Sequence, residues 1–150
     1  MTCKNTHILI VDDNPENIQV LGAALAQNQY QITVVANSTL AEEAAEKYQP
    51  DLILLDVMMP EIDGFQVCRI LKSNPRTRHI EIIFLTAVVA QSEELKGLSL
   101  GAIDYIHKPF SIAIVQAKIA LHLERIWHQR LKDDVERMTR HDLKNPLNIL

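Results

Sequence analysis

Cysteine is scarce in this 150-residue chain: Cys3 and Cys68 lie far apart and form no CxxC pair. A disulfide framework is therefore not expected, and a reducing compartment suits both thiols. Basic runs are also missing. The 15 Lys and Arg are scattered and the formal charge is -4, so no nucleic-acid-binding surface is expected. No apolar stretch reaches spanning length and the N-terminus carries no signal-peptide pattern, which points to a soluble, cytoplasmic chain with no membrane partner. A Gly-rich nucleotide loop is absent as well, so the chain as it stands is not expected to take phosphate from ATP. What the composition does supply is core: 47% of residues are hydrophobic and 23% charged, enough for one globular unit plus an appendage.

The most informative stretch is Asp51 to Gly64. Leu52, Ile53, Leu54 and Leu55 run straight into Asp56, and Pro60 and Gly64 then punctuate a loop. An unbroken apolar run suits a central parallel strand covered on both faces, with Asp56 at its carboxyl end. The same pattern occurs earlier: His7 to Val11 is apolar and ends in Asp12-Asp13, after which Asn14 or Asp13 caps a helix with Pro15 in its first turn. A second strand is expected at Ile32 to Ala36, and a helix capped by Ser38 reaches about Tyr48. A helix from Gly64 to about Ser73, a strand from Ile80 to Thr86, a helix from about Gln91 to Leu100 and a strand from Ala102 to His107 complete the alternation. Five strands alternating with helices predict an open parallel α/β sheet with helices on both faces. Right-handed crossovers put the strand ends on one rim, where Asp12, Asp13, Asp56, Thr86 and Lys108 would meet.

Three carboxylates at one rim repel: at roughly 4 Å and an effective dielectric near 20, each like-charge contact costs on the order of 4 kcal/mol. A hard divalent cation resolves the conflict, and Mg²⁺, held by one or two carboxylates plus a phosphate, fits oxygen donors better than zinc does. With Mg²⁺ and the Lys108 ammonium, the site becomes nearly neutral and able to accept a phosphoryl group on Asp56, whose added charge Lys108 and the Thr86 hydroxyl can meet. Singly, each residue has an ordinary alternative: Asp12 and Asp13 as helix caps, Thr86 as a strand residue, Lys108 as a surface cation, and Met58 and Met59 as loop packing.

Residues 5 to about 123 resemble a response-regulator receiver domain. The resemblance is carried by VDDNPEN after the first strand, LLDVMMPEIDG after the third, FLTA after the fourth and YIHKPF after the fifth. It implies a doubly wound, flavodoxin-like α/β fold with a five-stranded parallel sheet in the order 2-1-3-4-5. It further implies that Asp56 is the phosphoacceptor, with Lys108 and Thr86 acting with it, and that Mg²⁺ is held by Asp13, Asp56 and the backbone carbonyl of Met58, with Asp12 acting through water. Thr86 and Tyr105 would form a switch pair, and the Lys108-Pro109 bond would be cis. The implied partner is a histidine kinase or phosphotransfer protein that donates the phosphoryl group. Met58 and Val88 occupy the family's water-access positions; both are apolar, so a long-lived acyl phosphate is expected.

After residue 123 the pattern changes. From Ser111 no stop signal appears until Pro146, and Val115, Ile119, Leu123, Ile126, Leu131, Val135 and Met138 form a stripe on one long amphipathic helix, about 45 Å for some 30 residues. The same helix of a second chain is the expected partner, giving a homodimer; the alternative is a helix folded back on its own domain. His141-Asp142-Leu143-Lys144-Asn145-Pro146-Leu147 resembles the phosphoacceptor-histidine box of sensor histidine kinases, which makes His141 a second candidate phosphoacceptor. The expected organisation is a receiver over 1-123 and a linker helix with the start of a dimerisation and phosphoacceptor segment over 124-150. In that arrangement, phosphorylation of Asp56 signals through the helix to a histidine kinase downstream. The alternative is a free-standing receiver whose last helix dimerises or recruits a partner. An aspartate-nucleophile phosphatase of the haloacid-dehalogenase type is disfavoured, because that family places a DxD nucleophile after its first strand. A flavodoxin-like FMN carrier is disfavoured too, for want of a phosphate-cradling loop after strand one.

Overall fold

A computed structural model of the chain describes residues 6-87 and 90-144, with side chains as far as Thr139. Two compact units emerge, Met1–Ala117 and Lys118–Leu150. The first contains a five-stranded parallel sheet in the order β2-β1-β3-β4-β5, with strands at His7–Val11 (β1), Gln31–Val35 (β2), Leu52–Asp56 (β3), Glu81–Thr86 (β4) and Asp104–His107 (β5). Helices at Pro15–Ala26 (α1), Ala41–Tyr48 (α2), Gly64–Ser73 (α3) and Gln91–Ser99 (α4) connect them, and α5 runs over Ile112–Lys144. The fold class and strand order are those expected.

Strand alternation sorts the core. Leu9, Ile53, Leu55, Ile82 and Phe84 join Ala41, Ala44 and Ala45 of α2 and Phe65, Cys68 and Leu71 of α3 in one buried cluster. Their strand neighbours Ile8, Ile10, Leu54, Ile83 and Leu85 point to the opposite face and are fully buried, as are Leu21, Ala24 and Leu25 of α1. Cover on both faces is why β1 and β3 read as continuous apolar runs. Cys68 is a buried free thiol, and burial pushes its pKa up to about 11.

Local chemistry fixes the helix starts. Asn14 caps α1, accepting from Glu16 N and Asn17 N, with Pro15 in the first turn. Asp63 and Gln66 form a capping box at α3. The segment after β2 departs from expectation: Asn37, not Ser38, is the cap, and it starts a 3-10 helix over Ser38–Leu40 before α2 begins. Asn37 Oδ1 accepts from Thr39 N at 2.9 Å, while the buried Ser38 hydroxyl donates to Pro60 O at 3.1 Å. The Lys108-Pro109 bond is cis.

Along α5, Val115 in the first unit is buried, as are Ile119, Leu123 and Ile126 in the second, while Leu131, Val135 and Met138 are exposed. Among the described residues, no helix is long and apolar enough to cross a membrane.

Candidate functional site

The first strand delivers Asp12 and Asp13 because β1 stops at Val11, where the backbone N–H of Asp12 still pairs with Val35 O at 3.2 Å before the chain turns into α1. Asp56 is the last residue of β3, two positions after Leu54 and equally shielded from solvent, at 2% exposure. Gly64 holds the returning loop close: its N–H donates to Val57 O at 2.8 Å. A Cβ at Gly64 would collide with the Asp56 carbonyl oxygen and lie 2.8 Å from Val57 Cα, so only glycine fits. On the other side, β4 ends at the buried Thr86, whose carbonyl accepts from Lys108 N at 2.8 Å. That bond carries the lysine over the end of β3.

These strand ends bring the carboxylates of Asp12, Asp13 and Asp56 within 4.8 Å of one another; Asp12 and Asp56 are buried and Asp13 is exposed. Lys108 Nζ reaches Asp56 Oδ1 at 2.8 Å, and Met58 N donates to the same oxygen at 3.3 Å. Asp12 is held through both oxygens, Oδ1 accepting from Asn14 N at 2.9 Å and Oδ2 from the Asn17 side-chain amide at 3.2 Å. Burial raises its pKa to about 6, with the nearby Asp56 charge adding to the rise, while the Asn14 N–H, Lys108 and the Asn17 amide oppose it.

The donor set is entirely carboxylate oxygen, the chemistry of a hard cation. With all three carboxyls ionised, the three acids and Lys108 sum to a formal charge of -2, which one divalent cation would cancel. Such an ion would also favour ionised Asp12, working against the effect of burial. The residues therefore fit Mg²⁺.

Of the residues singled out from sequence, Asp12, Asp13, Asp56 and Lys108 meet directly. Thr86 stands at the neighbouring strand end, one residue beyond the Asp56 to Leu85 pairing of β3 with β4. Tyr105, on β5, is buried beneath α4, its hydroxyl donating to main-chain carbonyls at Glu93 and Glu94. The Met58 side chain is exposed at 68%; Val88 lies outside the described residues. Likewise, the His141 side chain and Asn145-Pro146-Leu147 lie outside them. Asn17 and Gly64 are parts of the site that sequence reasoning left unassigned. Asn17 had a usable signal, since it lies three residues after the Asn14 cap, on the turn facing the strand end.

The family described as "Response regulator receiver domain" matches residues 8–120. A protein of Vibrio cholerae described as "Probable cyclic di-GMP phosphodiesterase" is 42% identical over 126 residues, covering 84% of this chain and 28% of the relative. Among solved structures, a putative response regulator from Chloroflexus aurantiacus superposes with a TM-score of 0.76 at 30% identity, covering 81% of this chain and 99% of that one. The receiver domain of a signal transduction histidine kinase from Syntrophus aciditrophicus gives 0.69 at 36% identity, over 81% of this chain and 89% of that one. The chain spans about a quarter to a half of the length of the curated relatives it matches.

Proposed function

Because the chain belongs to the response-regulator receiver domain family, we propose that it is a phosphoacceptor switch in which Asp56 takes a phosphoryl group from a histidine kinase or phosphotransfer protein. The contact that carries this reading is Lys108 Nζ on Asp56 Oδ1 at 2.8 Å, at the edge of a group of three carboxylates. One carboxylate oxygen of Asp56 attacks the donor's phosphorus. The bond from phosphorus to the donor nitrogen breaks, and the donor leaves with that electron pair. Asp56 thereby exchanges one negative charge for roughly two. Lys108 moves from the carboxylate to the phosphoryl oxygens, and the Thr86 hydroxyl follows. Asp12, Asp13, Asp56 and the Met58 carbonyl would hold Mg²⁺, which when bound supplies positive charge against the equatorial oxygens. Tyr105 completes the switch on β5. Met58 and Val88 are both apolar in sequence, which favours a long-lived acyl phosphate.

Residues 1-123 form the receiver and 124-150 the linker, whose exposed Leu131, Val135 and Met138 recur at steps of four and three and favour pairing with a second copy in the cytoplasm. The output is a histidine kinase downstream. The run His141 to Leu147 supports that assignment, and so does a likeness to the receiver domain of a histidine kinase. Relatives carry other outputs by name, such as a DNA-binding transcriptional regulator in Synechocystis, so the free-standing receiver with a partner-binding helix stands as the second reading.

Incubation with acetyl phosphate and Mg²⁺ tests the switch: the intact mass should rise by one phosphoryl group, and Asp56→Asn should abolish the gain. An unchanged wild-type mass would refute it. Chemical stability of the label separates the two outputs. Base-stable phosphate lost in His141→Gln, in a chain extended to include a kinase core, supports the first; label confined to Asp56 supports the second.

A further inference from the structure

Helix α4 carries a glycine, Gly97, in its last turn, and a glycine within a helix weakens it for want of a side chain. The position has a tertiary reason. A Cβ built at Gly97 would overlap the Tyr105 hydroxyl and lie 2.8 Å from the Phe84 ring. Tyr105 occupies that space: it is buried, tilted against Phe84 at 5.8 Å, and its hydroxyl donates to Glu93 O at 2.9 Å with Glu94 O also in contact. Glu94 is engaged a second time, because its carboxylate lies 2.9 Å from His107 Nε2, and the His107 ring stacks parallel to Tyr105. The first turns of α4 are thus pinned to β5 through the residues on either side of Ile106.

We propose that the missing side chain at Gly97 is what allows Tyr105 to lie inward, making Gly97 a positioning residue for the β5 half of the switch. The inference rests on the reading of Tyr105 as the switch residue and adds what sets its position. A methyl group at Gly97 meets two neighbours of unequal freedom. Phe84 is fully buried in the core and has nowhere to go, whereas the Tyr105 hydroxyl is the far end of a side chain that can swing outward. Gly97→Ala therefore expels Tyr105 from beneath α4, and the phosphoryl group on Asp56 then has no inward tyrosine to couple to.

The test uses the full chain labelled with 3-fluorotyrosine, with the Tyr105 fluorine resonance assigned by its loss in Tyr105→Phe. In the unphosphorylated wild type a soluble paramagnetic agent should leave that resonance sharp; in Gly97→Ala it should broaden severalfold with helicity unchanged. Thermal melting closes the cycle, since the loss caused by Gly97→Ala should shrink in a Tyr105→Ala background to the part owed to Phe84. A Tyr105 that stays shielded in Gly97→Ala, or a double variant as unstable as the single one, overturns the proposal. Neither readout involves phosphate. A wild type that takes no phosphoryl group from acetyl phosphate would sink the switch reading while leaving the Gly97 result standing.

Discussion

Near the N-terminal rim of the sheet, buried polar groups satisfy one another. His7 is buried with its Nε2 2.6 Å from Thr33 Oγ1 and its ring edge-on to Tyr48 at 5.7 Å. Its backbone N–H donates to Asp51 Oδ2 at 2.8 Å, and Asp51 N returns a bond to His7 O at 2.8 Å. At the C-terminal rim of the same strands, three carboxylates crowd together, with Lys108 bonded to that of Asp56. One rim closes its hydrogen bonds within itself; the other holds more negative charge than its own lysine offsets. Both contain a buried ionisable residue, so burial alone does not distinguish a structural cluster from a working one. The unmatched charge does.

The comparison can be broken most severely at Gly64. Gly64→Val should drive the loop off the end of β3 and lower stability by about 3 kcal/mol or more in denaturant unfolding, because the colliding atoms are backbone. A loss within the range of an ordinary surface substitution would mean that the loop does not depend on this contact. Asp12→Asn should act in the opposite direction. The Asp12 pKa of about 6 lies above its ordinary value of 3.8, so as pH rises the unfolded chain loses that proton first, and the folded protein loses stability between those limits. Removing the charge should stabilise the magnesium-free protein at neutral pH by on the order of 1 kcal/mol, while weakening its response to Mg²⁺. Equal or lower stability would contradict the unmatched-charge account. The smallest effect belongs to the other rim. Burial lowers the His7 pKa, outweighing the attraction of Asp51, so the unfolded chain takes up a proton first as pH falls through 6.5, and stability that is full above that value declines below it. His7→Gln should flatten that decline in melting curves collected from pH 7 to pH 5, and an unchanged slope would remove His7 as its source.

Much of this was legible in the chain. The apolar runs ending at Asp12 and Asp56 announced both strand and site, because a parallel strand covered on both faces leaves a continuous signature and its first charged residue marks the rim. Asn14 and Pro15 marked the start of α1 in the same direct way. What escaped were features made by contacts distant in sequence. Gly64 read as loop punctuation and Gly97 drew no notice within its helix, since the atoms that forbid a Cβ at each, on Asp56 and on Tyr105 and Phe84, come from strands. The 3-10 helix at Ser38–Leu40 is too short to show a period, and Ser38 spends its hydroxyl on Pro60, 22 residues away, rather than on the helix start. Along α5 the stripe was visible but its division was not: the step from buried Ile126 to exposed Leu131 has no counterpart in hydrophobicity.

The measurement closest to the central claim is thermal melting of the chain with and without Mg²⁺. At a free concentration ten times its dissociation constant, the ion should stabilise the wild type by about 1.4 kcal/mol, or about 3–6 °C in Tm. The rise should disappear in Asp13→Asn and persist in His7→Gln. A rise of the same size in all three proteins, or none in the wild type, would contradict the claim that charge left unbalanced at the C-terminal rim is what prepares Asp56 for phosphate.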